Sequence, residues 1–236
     1  VEAGARAHGR AGGGRQERDG MQEQAPADGR GRAEPGLRAR KKERTRQALS
    51  DAATELFAAR GFEAVTVADI AASADVAVGT VFNYFRSKEE LFFDRADAVE
   101  QSLVAAIVER KAGAGIVAAF REWHEGELEF LLDARAEAAT RRYFAAIAAS
   151  RGLQAAERGM YRRLQDALAG AVRAEGAGDD PMPDLLAAVL LALHRTVVDL
   201  AGGDPGRARR ASAGAFDALS ASAHAYGADH AAGAVS

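Results

Sequence analysis

The side chains able to do covalent chemistry are few in this sequence and poorly assembled. Thr66 and Asp69 place a hydroxyl and a carboxylate three residues apart, but no histidine lies near them to activate a nucleophile. A threonine followed three residues later by an acid is what a helix N-terminus uses to satisfy its orphan N–H groups, and that role explains both. Of the five histidines, His8 and His230 lie near the ends, and His224 and His230 are six apart rather than four, so the spacing gives no helical metal pair. There is no cysteine, which excludes disulfides, thiolate zinc sites and cysteine nucleophiles. No catalytic residue, metal or cofactor is expected.

What remains is the chemistry of recognition. Net charge is only −3, yet from residue 30 to 46 the basic residues are Arg30, Arg32, Arg38, Arg40, Lys41, Lys42, Arg44 and Arg46, against Glu34 and Glu43 alone. Such a block is either a phosphate-attracting patch or a solvated tail. Further on, Gly79, Thr80 and Asn83 put small and polar groups along one short stretch. Phe120, Trp123, Phe130, Tyr143, Phe144 and Tyr161 recur at helical spacing. Rings so spaced are ordinarily core, with the lining of a ligand pocket as the alternative. His194 and Arg195 interrupt the apolar run Leu185–Leu193. A dimer seam, a pocket and solvent all remain open for that pair.

The elements that must position these groups read as helices throughout. Nearly half of the 236 residues are apolar and alanine is abundant, which favours helix. No apolar run approaches the ~18 residues of a membrane span, and the Arg/Gly-rich start lacks the apolar block of a secretory signal. Residues 1–36 hold almost no large apolar side chains and are expected to be a disordered basic extension. Leu49, Ala52, Ala53, Leu56 and Phe57 give an amphipathic helix that Gly61 ends. A short helix follows from Val67 to about Ala74, then a turn at Asp75-Val76-Ala77, then a second short helix from Val78 to about Phe85. Two short helices joined by so tight a turn form a helix-turn-helix over 67–85. Ile70 and Ala71 would pack the first helix, Val76 would plug the turn, and Val81 and Phe85 would face the core. Ser87-Lys88-Glu89-Glu90 starts a long helix to about Glu109. Glycine-punctuated helices over 115–132, 135–149, 152–175, 183–201 and 206–226 complete the chain.

From Arg60-Gly61-Phe62 through Thr66-Val67-Ala68-Asp69-Ile70-Ala71 to Gly79-Thr80-Val81-Phe82-Asn83-Tyr84-Phe85-Arg86-Ser87-Lys88-Glu89-Glu90-Leu91, this block resembles the TetR family of transcriptional regulators. The resemblance covers roughly residues 43–103; beyond residue 110 only the helical architecture is similar. It implies DNA contacts at Thr66, Ala77, Val78, Gly79, Thr80, Phe82, Asn83, Tyr84 and Lys88, with Thr66 and Lys88 holding phosphates and Thr80 and Asn83 facing the groove. The chain departs from the family pattern at four positions. Asp75 stands for glycine, Ala77 for serine or threonine, Val78 for a basic or polar residue, and Phe82 for tyrosine. The basic segment, Arg44 and Arg46 included, is the natural source of compensating phosphate contacts.

The expected fold is all-α. An N-terminal three-helix helix-turn-helix DNA-binding domain (43–103) precedes a C-terminal helical effector-binding and dimerisation domain (104–227), and residues 228–236 form a tail. The resemblance implies a cytoplasmic homodimer on double-stranded operator DNA, released by a small-molecule effector, with the last two long helices forming the interface. Leu185, Leu186, Val189, Leu190, Leu193 and Val197, with Ala211, Ala215, Ala218, Ala221 and Ala225, suit close helix packing there. A pocket beside the 87–109 helix would draw on Phe93, Leu103, Phe120, Trp123, His124, Phe130, Tyr143 and Phe144, and so favours a hydrophobic or aromatic effector. An activator, a regulator controlled by a protein partner, and a helical enzyme or scaffold are the competing readings.

Overall fold

The computed structural model describes residues 36–134, 137–175 and 181–233, with side chains to residue 221. The extension expected over 1–36 lies almost wholly outside the described residues. Ten helices follow one another: α1 Leu37–Arg60, α2 Val67–Ser73, α3 Val78–Phe82, α4 Lys88–Phe92, α5 Ala96–Val108, α6 Ile116–Leu131, α7 Glu137–Ala149, α8 Arg151–Arg173, α9 Met182–Ala201 and α10 Pro205–Gly233. Among the described residues there is no strand, and no helix is long and apolar enough to cross a membrane. The last helix continues to Gly233, past the point where a tail was expected.

The first four helices close on one small core. Leu49 and Ala53 of α1 meet Ile70 and Ala71 of α2, Val81 of α3, then Phe85 and Leu91. Local chemistry fixes their ends. Thr66 Oγ1 accepts from the Asp69 N–H at 3.1 Å while Asp69 Oδ2 accepts from the Thr66 N–H at 2.8 Å, a reciprocal cap. The capping bonds hold the Asp69 carboxyl below its ordinary pKa. At α4, Ser87 Oγ accepts from the Glu90 N–H at 3.2 Å, but the Glu90 carboxylate reaches the N–H of Arg86 instead of Ser87. Asp75, between α2 and α3, has φ 53°, a left-handed conformation that Asp tolerates better than most residues.

The single helix expected over 87–109 is broken. Residues 93–95 form a turn between α4 and α5. The carbonyl of Asp94 accepts from the Arg46 guanidinium at 3.1 Å, and the Asp94 carboxylate accepts from Ser50 Oγ. Side chains of α1 thus hold the peptide at the break, a long-range cause to which helical periodicity is blind.

The second core joins α5, α6, α8, α9 and α10 through Leu103, Ile107, Phe120, Leu168, Leu190 and Phe216. A third, smaller cluster bridges the two units: Phe62, Phe93 and Ala96 pack with Ile147 and Leu153.

Candidate functional site

Two features stand out, one on the first unit and one at the bridge itself. On the first unit, α3 presents an open face. Val78 is 42% and Phe82 53% exposed, four residues apart and hence on one side of the helix. Asn83 and Ala77 are exposed, and Thr80 and Tyr84 half-buried. A Cβ built on Gly79 would meet nothing, so a surface can approach the backbone closely there. Ala77 caps α3 without a side-chain bond, leaving N–H groups free for an outside acceptor. Arg44 is exposed on α1. Val78 and Phe82 thus leave apolar area on a five-residue helix open to solvent.

Three expected phosphate contacts have other work in this structure. Lys88 Nζ donates to the carbonyls of Phe62 at 2.9 Å and Val65 at 3.0 Å and sits 4.1 Å over the Phe62 ring. It therefore ties α4 to the α1–α2 loop. Arg46, besides its bond to Asp94, lies 4.7 Å over the Phe85 ring. Thr66 spends its hydroxyl on the cap of α2 while remaining exposed.

The second feature is a cavity of about 860 Å³ at the junction. Phe57, Phe62 and Phe92 wall it from the DNA-binding side, and Tyr143, Met160, Tyr161 and His194 from the other. Rings dominate the lining: Phe57 and Phe62 have centroids 5.2 Å apart, and Phe92 stacks on Tyr143 at 5.0 Å. Burial, with Glu157 nearby, pushes both tyrosine hydroxyls above their ordinary pKa, so they stay neutral hydrogen-bonding groups. Charged side chains line it too, among them Arg60, Glu63, Arg95, Glu127 and Arg142. Arg95 lies 3.6 Å from Glu127 and 3.7 Å over the Phe130 ring. Near the floor, Arg195 lies 3.6 Å from Glu157, whose carboxyl burial pushes up.

Residues 49–94 match the family model described as bacterial regulatory proteins, tetR family. The HTH-type transcriptional regulator TcmR of Streptomyces glaucescens is 44% identical over 79 residues, 34% of this chain and 35% of TcmR. Residues 49–94 belong to the TetR family. The aligned region thus spans about a third of that relative's length. Solved structures share the fold over far more of the chain. A Syntrophomonas wolfei protein assigned to the TetR family gives a TM-score of 0.56 at 17% identity, over 75% of this chain and 95% of its own. The complex of SmeT with triclosan gives 0.55 at 22% identity, over 76% and 91%.

The cavity lies nearer this TetR-family unit than the sequence suggested. Phe93, Phe130 and Tyr143 line it; Leu103, Phe120, Trp123, His124 and Phe144 do not. Leu103 and Phe120 are fully buried in the second core. Trp123 donates its Nε1–H to Ser102 Oγ at 2.9 Å, and His124 bonds His194 and Ser212. Phe144 packs onto Gly202, where an added Cβ would come within 2.7 Å of its ring. The reason is position along α6: Ala119, Phe120, Trp123 and His124 face the core, while Glu127, Phe130 and Leu131, one to two turns further along much the same face, reach the cavity. Sequence reasoning missed Phe57, Phe62, Phe92, Met160 and Val198. The neighbouring pair Phe92-Phe93 was a usable signal, since one helix face cannot bury both.

Proposed function

We propose that this chain is a homodimeric, ligand-responsive transcriptional repressor. It leaves an inverted-repeat operator when a hydrophobic or aromatic small molecule fills the junction cavity. The observation that carries this reading is the cavity's position. One wall belongs to the DNA-binding unit and the other to the effector unit, so a ligand there touches both. A ligand that fits one arrangement of the units better than another shifts their equilibrium by that difference. A coupling of ~1–3 kcal/mol changes DNA affinity about 5–150-fold. SmeT, which shares the fold, has been solved with triclosan, and a small-molecule effector is inferred for this chain by analogy.

DNA is the partner that fits α3. Asn83 at the end of the helix can pair with adenine, worth ~1–3 kcal/mol of discrimination, and Val78 can meet a thymine methyl. Arg44 supplies a phosphate contact. A second copy is the partner that fits α9, where Met182, Leu185 and Val189 are exposed along one face. Leu190 and Val197, expected at that interface, are buried inside the protomer. The dimer seam is accordingly narrower in α9 than the sequence suggested. A regulator of this kind works in the cytoplasm, without catalysis.

Sequencing the DNA that the purified protein selects tests the reading. Two-fold symmetry in the protein requires inverted half-sites, about 34–36 Å apart or a multiple of that. Selected sites without inverted symmetry would refute the dimer on DNA.

A further inference from the structure

Two imidazoles meet inside the effector unit. His194 Nδ1 lies 2.8 Å from His124 Nδ1, and His124 Nε2 lies 3.0 Å from Ser212 Oγ. All three side chains are buried, with Phe120, Trp123 and Phe216 packed around the rings. Burial holds both imidazoles below their ordinary pKa and so neutral near pH 7.

A contact this short between neutral rings requires one shared proton, neither none nor two. Two arrangements satisfy it. In the first, His194 Nδ1–H donates to His124 Nδ1, His124 Nε2–H donates to Ser212 Oγ, and His194 Nε2 bears a lone pair. In the second, Ser212 Oγ–H donates to His124 Nε2, His124 Nδ1–H donates to His194 Nδ1, and His194 Nε2 bears the proton. The serine hydroxyl serves either direction, so the chain of bonds is complete in both.

His194 Nε2 has no hydrogen-bond partner among the described residues, and no fully buried side-chain nitrogen or oxygen among them lacks one. His194 is also a wall residue of the cavity. Nε2 is therefore the one ring nitrogen His194 has left for the cavity, whose lining includes the rings of Phe57, Phe62, Phe92, Tyr143 and Tyr161.

We propose that His194 is the polar anchor of the cavity. It selects a multi-ring aromatic ligand bearing a hydroxyl or carbonyl group at one end, and His124 and Ser212 are positioning residues that let the anchor either accept or donate. The inference rests on reading the junction cavity as the effector site. It accounts for a histidine within an apolar helix, and its chemistry admits a phenol and a ketone alike.

Biphenyl, 4-methoxybiphenyl and 4-phenylphenol offer the same rings with no polar group, an acceptor, and a donor. Trp123, the single tryptophan, has its ring 4.8 Å from that of His194, and its emission reports occupancy. The full-length protein should bind both oxygenated compounds about tenfold more tightly than biphenyl, the effect of one hydrogen bond. In His194→Phe the three affinities should converge while biphenyl still binds. The nitrogen-15 histidine spectrum of the unmodified protein gives a second readout. Saturating 4-phenylphenol should favour the form with bare Nε2 on His194, and 4-methoxybiphenyl the form with protonated Nε2. Equal affinities for all three compounds in the unmodified protein would overturn the anchor and leave the cavity reading standing. Should none of them bind, the cavity reading falls and the anchor with it. Should His194→Phe fail to fold, the spectrum decides, and His194 resonances unchanged by either compound would overturn the proposal.

Discussion

The two units of this chain are put together by different means. In the DNA-binding unit the contacts that set the helix ends are mostly local: Thr66 with Asp69, Ser87 with Glu90, and the Asp75 turn between α2 and α3, with Arg46 and Ser50 on Asp94 the long-range exceptions. In the effector unit they are remote. Leu103 of α5 and Phe216 of α10 share one core, and His124 meets His194 across 70 positions. Locally determined structure can be kept by a short motif, and a stretch of 79 residues aligns at 44% identity with TcmR. Remotely determined structure constrains size and polarity at scattered positions, and over 76% of the chain, more than either unit alone, the identity to SmeT is 22%.

The largest expected effect breaks one unit and spares the other. Phe85 is almost fully buried in the small core, and Phe85→Ala should cost ~3–5 kcal/mol. Operator binding should be lost in gel-shift assays while Trp123, packed in the second core, keeps its native emission. Simultaneous loss of both signals would show that the units fold as one.

Lys88→Ala and Asn83→Ala sharpen the comparison within the DNA-binding unit. Lys88 donates to two carbonyls, and hydrogen bonds of a charged group contribute about 1.5–3 kcal/mol each. Its loss should lower the urea midpoint and weaken all sequences alike, with the salt slope unchanged. A slope reduced by about one unit, at unchanged stability, would return Lys88 to the phosphates. Asn83→Ala should leave stability alone and relax preference at one operator position. Preference retained at every position would remove Asn83 from base reading.

The effector unit should respond to pH through His124 and His194. Their pKa values are lowered by burial, Glu125 alone pulling His124 slightly back. The unfolded chain therefore binds more protons below its ordinary imidazole pKa, and stability present above about pH 6.5 is lost as pH falls. Each imidazole contributes at most about 1.4 kcal/mol per pH unit. Glu157 and Asp199, raised by burial, act in the opposite sense. The difference between the unmodified protein and His194→Phe isolates the pair: the variant should have the shallower fall in melting temperature between pH 7 and pH 5. Equal slopes would mean that the imidazoles are not held neutral.

The same local and remote division decided what could be read from the sequence. The apolar periodicity of Leu49, Ala52 and Ala53 and the caps at Thr66 and Ser87 located the helix-turn-helix, because each signal lies within a turn or two of its effect. The break at residues 93–95 was illegible, since Arg46 and Ser50 hold it from more than forty residues away. The cavity was half legible. Aromatic spacing pointed to Phe93, Phe130 and Tyr143, but which ring faces a void and which faces the core depends on how α6 and α9 are rotated. His194 was conspicuous as a polar interruption, and nothing in the sequence ties it to His124.

The central claim is that occupancy of the junction cavity controls DNA binding, and filling it with protein tests this most directly. Ala146 lines the cavity and is half-buried on α7, so Ala146→Phe projects a ring into open space. For a compound that releases the selected operator from the unmodified protein, the release midpoint should be read in both proteins by fluorescence anisotropy of labelled DNA. The account predicts that Ala146→Phe still binds the operator and that its midpoint rises at least about tenfold, the ~1.4 kcal/mol of one blocked contact. An unchanged midpoint, with operator binding intact, would place the effector elsewhere and contradict the account.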